Sequence, residues 1–151
     1  MKPRDRRRRA GNAMVEFAVA AAVLLPCFAG IFEFGYGFIV YNRLTGGVRA
    51  GARYASLLKY DSNSVTPSNA YLTAVRNTVV YGSPDGGTQP IVNGLTTDQV
   101  AVTMQFANSA PDMVSVSISS FSLNTLFATL NWADKPLAAF RYEGNYAPGG
   151  N

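Results

Sequence analysis

The 151-residue sequence contains no histidine and only one cysteine, Cys27. Histidine is the commonest general base and the commonest transition-metal ligand, so its absence weighs against a catalytic or metal centre. The remaining residues offer no recognisable grouping of acid, base and nucleophile. The sequence therefore predicts a protein that is not an enzyme, with no catalytic, cofactor-binding or metal-binding residues and no cofactor.

A disulfide framework is also excluded, because Cys27 has no partner in the chain. It lies within a long apolar run, where a thiol usually packs as a small hydrophobic group. A domain that lies outside the cytoplasm without disulfides depends on core burial or on assembly with partners. The sequence therefore favours a subunit of an assembly.

Charge is scarce and unevenly placed. Six of the 13 basic residues and a single acid precede Asn12, so the leader carries a net charge of +5 and the rest of the chain a net charge of −1. The basic residues after Asn12 are scattered, whereas a nucleic-acid interface needs them clustered. We therefore expect no nucleic-acid partner, and we assign the basicity to membrane topology.

A long apolar run follows the leader, from residue 13 to residue 41, interrupted only by Glu16, Pro26 and Glu33. A helix of about 20 apolar residues crosses a bilayer. Positive charges keep their end of a membrane helix in the cytoplasm, and four arginines stand directly before the run: Arg6, Arg7, Arg8 and Arg9. The pattern predicts a single-pass membrane protein that lies mostly outside the cytoplasm.

Helical spacing of apolar residues continues beyond the membrane run and predicts one helix as far as Leu58. The residues that carry this spacing are Leu44, Val48, Ala52, Ala55 and Leu58. Pro26 is expected to bend the helix. Glycines at positions 46, 47 and 51 weaken it locally but allow a close approach of another helix.

The rest of the chain predicts a small domain. Ser68 or Asn69 is expected to cap a short helix that ends at Tyr81, followed by a loop over residues 82–94. Alternating apolar residues predict a hairpin from strands at 100–106 and 114–118, with the intervening serines on its exposed face. Residues 123–132 are expected to be helical or an irregular cover, residues 137–142 a third strand, and the tail from Asn145 mobile.

The predicted fold class is therefore α+β, with a long N-terminal transmembrane helix and a small domain that contains an antiparallel β-sheet. Three parts are expected: a cytoplasmic basic leader at 1–11, a transmembrane and extended helix at 12–58, and a periplasmic or extracellular domain at 59–151.

A processing signal is suggested at the junction of leader and helix. Gly11 is small and is expected to present an extended, accessible bond to a peptidase at the membrane face. Cleavage after Gly11 removes the leader and creates an amine on Asn12. Glu16 is a lone carboxylate inside the apolar run, at a cost of about 2.5 to 3.5 kcal/mol when unpaired deep in lipid. The Asn12 amine of the same chain or a neighbour is the nearest candidate partner.

These residues resemble a known family. The run from Gly11 to Phe17, the later Pro26 and the segment from Ile31 to Gly35 are similar to the TadE-like minor pilins, or pseudopilins, of the tight-adherence (Tad, or Flp) type IV pilus. Weaker similarity extends to residues 49–55 and 114–118. The resemblance implies a pilin-like fold, cleavage between Gly11 and Asn12 by a prepilin peptidase, and partnership with other pilin subunits and Tad pilus assembly proteins.

In this interpretation the protein takes part in assembling an adhesion pilus. The resemblance implies a single-pass protein of the inner membrane with its C-terminal domain in the periplasm, or a subunit of the extracellular pilus. Glu16 sets the register of assembly by charge pairing, and small residues permit close helix contact: Ala18, Ala22, Gly30 and Gly35. The alternative is an uncleaved single-pass envelope protein that scaffolds the Tad secretion machinery, with Glu16 as an interfacial charge. A membrane-anchored hydrolase is disfavoured for want of a catalytic grouping.

Overall fold

The computed structural model describes the backbone of residues 3–146 and the side chains of residues 11–146. The chain divides into two compact units, Met1–Tyr36 and Gly37–Asn151, which are described separately. The tail predicted to be mobile lies mostly outside the described residues. The predicted division into leader, extended helix and domain stays a prediction.

Helix α1 spans Pro3–Leu57 and passes through Pro26. It begins earlier than predicted, because the leader belongs to the helix as well. Proline is favoured as the first residue of a helix, where no hydrogen bond of its nitrogen is needed, and arginine is a good helix former. The end at Leu57 agrees with the predicted end at Leu58 to within one residue.

In the second unit, α1 buries one face. The buried residues recur at helical spacing and none is more than 4% exposed: Val40, Leu44, Val48, Ala52 and Ala55. This confirms the predicted continuation of the apolar pattern beyond the membrane run. It also shows that the C-terminal part of α1 is the central helix of the domain core.

Helix α2 spans Asn69–Tyr81. Ser68 is its N-cap, and its hydroxyl accepts a hydrogen bond from the backbone N–H of Tyr71 at 3.2 Å. Gly82 ends the helix in the left-handed conformation at φ 76°, which a glycine adopts without strain. The predicted helix and its cap are confirmed.

A three-stranded antiparallel sheet follows, after a short 3₁₀ helix η1 at Thr97–Gln99. Strands β1 (Val100–Ala107) and β2 (Ala110–Ile118) form the predicted hairpin, and β5 (Leu137–Arg141) pairs with β2 as the predicted third strand. Asn108 and Ser109 make the turn with φ values of 52° and 65°. Positive φ at both central residues is typical of a tight hairpin turn.

The hairpin serines are half-buried instead of fully exposed. Ser115 lies between Thr103 of β1 and Ala139 of β5, and its hydroxyl is 3.0 Å from that of Thr103. Ser119 donates a hydrogen bond to the backbone oxygen of Gln99 at 3.0 Å. The Ser115 hydroxyl therefore links β2 to β1, and the Ser119 hydroxyl ties the end of β2 to η1.

One sequence prediction is wrong. Residues 123–132 are neither a helix nor an irregular cover, because they belong to a second hairpin of β3 (Ser120–Asn124) and β4 (Thr129–Ala133). Phe121 pairs with Trp132 and Leu123 with Leu130, so four apolar side chains share one face of the hairpin. Polar residues alternate with them along both strands, which is the period of a strand.

The core of the second unit lies among the inner face of α1, helix α2 and the inner faces of β1 and β2. Its fully buried side chains are Tyr60, Leu44, Ile118, Val48, Val75, Val79, Val80, Val100, Val114 and Val116. Glycines of α1 allow α2 to approach closely. A Cβ on Gly47 would lie 2.7 Å from the backbone oxygen of Val79, and one on Gly51 would overlap the Val79 side chain.

Candidate processing and assembly segment

The first unit carries an apolar helical surface that nothing in its own unit covers. α1 from Gly11 onward is long and apolar enough to cross a membrane. Phe17 is 74% exposed, Phe32 77% and Phe34 78%. Cys27 is exposed on this surface too, and its packing in a membrane or against a partner stays a prediction. An apolar surface of this extent marks a contact with lipid or with another protein.

Gly11 and Asn12 lie within α1 and are exposed. A Cβ on Gly11 would meet no atom within 4 Å. Both residues are exposed and Gly11 is uncrowded, but the bond between them is helical where an extended bond was expected. Cleavage at this bond stays a prediction and would require the helix to unwind here, where glycine weakens a helix by about 1 kcal/mol relative to alanine.

Glu16 is exposed on the same helix. Asn12 and Glu16 stand four positions apart, so they lie on one face of α1, one above the other and about 6 Å apart along the axis. Among residues 11–146 the structure shows no ion pair or hydrogen bond for the Glu16 carboxylate. This placement brings the predicted new amine and the carboxylate together on one helical face.

The leader arginines Arg6, Arg7, Arg8 and Arg9 precede this face in α1, and their side chains lie outside the described residues. Their role in topology stays a prediction.

The small residues expected at a helix contact fall into two groups. Gly30 and Gly35 have no neighbour within 4 Å of the position of a Cβ, whereas Gly47 and Gly51 pack against α2. Close approach is therefore confirmed at Gly47 and Gly51 but not at Gly46, and contact of Gly30 and Gly35 with another subunit stays a prediction.

Residues 11–53 match a family model described as TadE-like protein. The segment is TadE-like. The match begins at Gly11, so the basic leader lies outside it, and it extends through the apolar surface into the buried part of α1. The match shows similarity of this segment alone. No curated protein and no solved structure matches the chain.

The TadE-like segment ends at Arg53, one turn before α1 ends. Backbone oxygens in the last turn of a helix have no partner within the helix. Here they bind distant residues: Ala55 accepts a hydrogen bond from the Tyr71 hydroxyl at 2.5 Å, and Ser56 accepts one from the backbone N–H of Glu143 at 2.9 Å. The backbone oxygens at the end of α1 are therefore satisfied by α2 and by the residues after β5.

Tyrosines surround this end of the TadE-like helix. Tyr60 packs edge-on against Tyr71 and Tyr142, with ring centroids 5.4 Å and 6.2 Å away. Burial raises the pKa of all three phenols above the ordinary value, most strongly for Tyr71. Their hydroxyls hydrogen-bond to backbone oxygens. The three phenols are therefore uncharged at neutral pH, and their hydrogen bonds stabilise this end of the domain.

Sequence reasoning missed one surface, the turn between β3 and β4. Leu126 is 83% exposed and Phe127 69%, and we call these two residues the hairpin tip. The signal was present, because an apolar pair follows Asn124-Thr125 and precedes an alternating strand.

No group of three histidine, cysteine, aspartate or glutamate residues that could hold a metal occurs among the described residues.

Proposed function

We propose that the chain is a minor pilin or pseudopilin of a Tad adhesion pilus, processed by a prepilin peptidase between Gly11 and Asn12. The observation that carries this proposal is the start of the TadE-like match at Gly11. If the leader is removed, the mature chain starts at the proposed cleavage site, and we expect the similarity to the family to start there as well. The exposed, uncrowded Gly11 supports the same site.

The role is structural, as expected of the TadE-like family, and no enzymatic step is assigned to the chain. The leader arginines hold the N-terminus in the cytoplasm, α1 crosses the inner membrane once, and the domain lies in the periplasm before joining the pilus. The partners are the prepilin peptidase, other pilin subunits and the assembly proteins. The apolar surface of residues 11–36 contacts both the membrane lipid and these protein partners.

Glu16 sets the register of assembly in this mechanism. Unpaired and deep in lipid, its carboxylate costs about 2.5 to 3.5 kcal/mol, which a cationic partner recovers in part. After cleavage the Asn12 amine of the same chain stands one turn away on the same face. When the amine of a neighbouring subunit takes its place, the two helices are held at a defined axial offset.

The N-terminal residue of the membrane-purified protein tests the proposal, measured by mass spectrometry in cells with and without their prepilin peptidase. We expect a start at Asn12 that depends on the peptidase. The matched variant Gly11→Leu keeps the apolar helix but adds bulk before the bond, and it should retain the leader. An intact leader in the unmodified protein in both strains would reject the processing step.

A second function is an uncleaved single-pass protein that scaffolds the Tad secretion machinery. One observation favours it: α1 runs without a break from Pro3 through Gly11, so the bond to be cut is helical. Retention of the leader together with association with the assembly proteins would identify this function. Glu16 would then be an interfacial charge.

A further inference from the structure

Strand β5 lies at one edge of the three-stranded sheet. Antiparallel strands alternate between residue pairs that exchange backbone hydrogen bonds and pairs that do not. The Tyr142 N–H donates to the backbone oxygen of Asp112 at 2.7 Å, and the register of β2 with β5 extends this pairing to every second residue. The even-numbered residues of β5 therefore bond to β2. The backbone groups that point away from the sheet belong to three residues: Leu137, Ala139 and Arg141.

This edge is unpaired along β5. Among the described residues, none forms a hydrogen bond with its outward backbone groups. α1 closes the edge only beyond the strand, where the Glu143 N–H donates to the backbone oxygen of Ser56 at 2.9 Å. Leu137 is 60% exposed and Phe140 39%, so apolar side chains flank the open edge. A cleft separates α1 from the end of β5, and its lining residues are Arg53, Ser56, Leu57, Phe140, Arg141 and Glu143.

The opposite edge of the sheet, β1, is less suited to pairing. The side chain of Arg76 donates a hydrogen bond to the backbone oxygen of Val100 at 3.1 Å, and the register of β1 shifts between Gln105 and Phe106. Irregularities of this kind keep an edge strand from pairing with another chain. β5 has a regular register with β2 and contains no proline, and its one charge is Arg141 at its end. β5 is therefore the edge that is open to a further strand.

A second copy of β5 fits this edge. When the two strands run antiparallel about a two-fold axis through Ala139, Leu137 of each copy lies opposite Arg141 of the other, and Ala139 lies opposite itself. The outward backbone groups of both strands then face each other and exchange hydrogen bonds. The exposed Leu137 side chain lies against the aliphatic stem of Arg141. On the inner face, Phe140 gains Ala138 of the second copy as a neighbour.

The charges that flank β5 agree with this register. Lys135 stands two residues before the strand and Glu143 two residues after it, so the two-fold axis places Lys135 of each copy opposite Glu143 of the other. Both residues are exposed, and neither has an ion pair among the described residues. Opposite charges stabilise a strand pair and like charges destabilise it. A parallel arrangement would set each lysine beside a lysine, so the charges favour the antiparallel one.

We propose that two copies of this chain associate through β5, antiparallel about Ala139, so that their sheets form one continuous sheet. The inference goes beyond the proposed function, because it depends neither on cleavage at Gly11 nor on entry into a pilus. An extended segment of a different protein would make the same backbone bonds. The placement of Lys135 and Glu143 at equal distances from Ala139 selects a second copy.

Disulfide cross-linking of the full chain in detergent tests the pairing. Ala139→Cys in a Cys27→Ala background places one thiol of each copy at the two-fold axis, where paired Cα atoms are about 5.5 Å apart and a disulfide fits. Thr103→Cys in the same background is the matched control, because Thr103 and Ala139 both lie opposite Ser115, on the two edges of the sheet. Non-reducing electrophoresis after oxidation measures the linked dimer, and near-ultraviolet circular dichroism checks that each variant is folded.

We expect at least fivefold more linked dimer from Ala139→Cys than from Thr103→Cys. Adding Lys135→Glu should lower the yield at least threefold, and adding Glu143→Lys as well should restore it. Equal yields from the two cysteine positions would reject the edge pairing, because chains that associate only through the apolar surface of α1 link both edges alike. A folded double charge reversal that fails to restore the yield would reject the register. Linking of position 139 in cells to a different protein alone would identify another occupant and overturn the proposal.

Discussion

The Tyr142 hydroxyl donates a hydrogen bond to the backbone oxygen of Leu58 at 2.8 Å and accepts one from the backbone N–H of Tyr60 at 2.9 Å. One phenol, which follows the last strand, thus joins two backbone groups that follow α1. The residues between them in sequence include all the strands and α2. The last strand and the helix end are therefore held together only when the whole domain has folded.

Removal of this hydroxyl tests its contribution to stability. Tyr142→Phe keeps the ring and leaves the oxygen of Leu58 without this donor, so we expect the free energy of unfolding to fall by about 1 to 3 kcal/mol. The measurement is denaturant unfolding of the full chain in detergent, followed by near-ultraviolet circular dichroism. Tyr81→Phe is the control, because Tyr81 is half-buried and the structure shows no hydrogen bond to its hydroxyl among the described residues. Equal losses in both variants would contradict the assignment.

Two adjacent glycines of α1 should respond to alanine in opposite directions. A Cβ on Gly46 meets no atom within 4 Å, so Gly46→Ala should stabilise the helix by about 0.5 to 1 kcal/mol. A Cβ on Gly47 lies 2.7 Å from the backbone oxygen of Val79, so Gly47→Ala should destabilise by about 1 to 3 kcal/mol as α2 is pushed away. Thermal unfolding of both variants under the same conditions measures the difference. Stabilisation by both substitutions would show that α2 does not pack on Gly47.

Stability should fall at alkaline pH because of the tyrosine cluster. Burial raises the pKa of Tyr71 far above its ordinary value near 10, so the folded protein keeps the proton that the unfolded chain loses. The unfolded state binds fewer protons above about pH 10, and stability falls by up to about 1.4 kcal/mol per pH unit for each such phenol. Unfolding free energies at a series of pH values from 9 upward measure the slope. Tyr71→Phe should reduce that slope, and an unchanged slope would exclude Tyr71 as a source.

Glu16 should matter for assembly and not for insertion. Glu16→Ala removes a charge that the described residues do not pair, so membrane insertion should persist while incorporation into pili falls at least tenfold. Glu16→Asp keeps the charge and should retain more incorporation than Glu16→Gln, which keeps the shape. Immunoblots of membrane and sheared-pilus fractions measure the two steps. Normal incorporation of Glu16→Ala would refute the pairing role.

The candidate processing segment could be identified from sequence because its signals are local. The position of Gly11 before an apolar run and the carboxylate at Glu16 are properties of adjacent residues. The conformation of the Gly11–Asn12 bond could not be inferred in this way. Sequence reasoning expected an extended bond at a helix start, but arginines are helix formers and Pro3 begins the helix upstream.

Sequence periodicity was enough to predict the elements whose pattern is complete within one segment: the buried face of α1, the capped helix α2 and the first hairpin with its third strand. The second hairpin was settled by tertiary structure alone, because β4 pairs with β3 across a turn and the Phe121 and Trp132 rings pack in a stacked pair. Residues 123–132 thus supply the end of β3, the turn and most of β4. Tertiary contacts also set the end of α1. No glycine cap stands at Leu57, and the final backbone oxygens are satisfied by Tyr71, Tyr142 and Glu143, which contacts between residues distant in sequence bring to them.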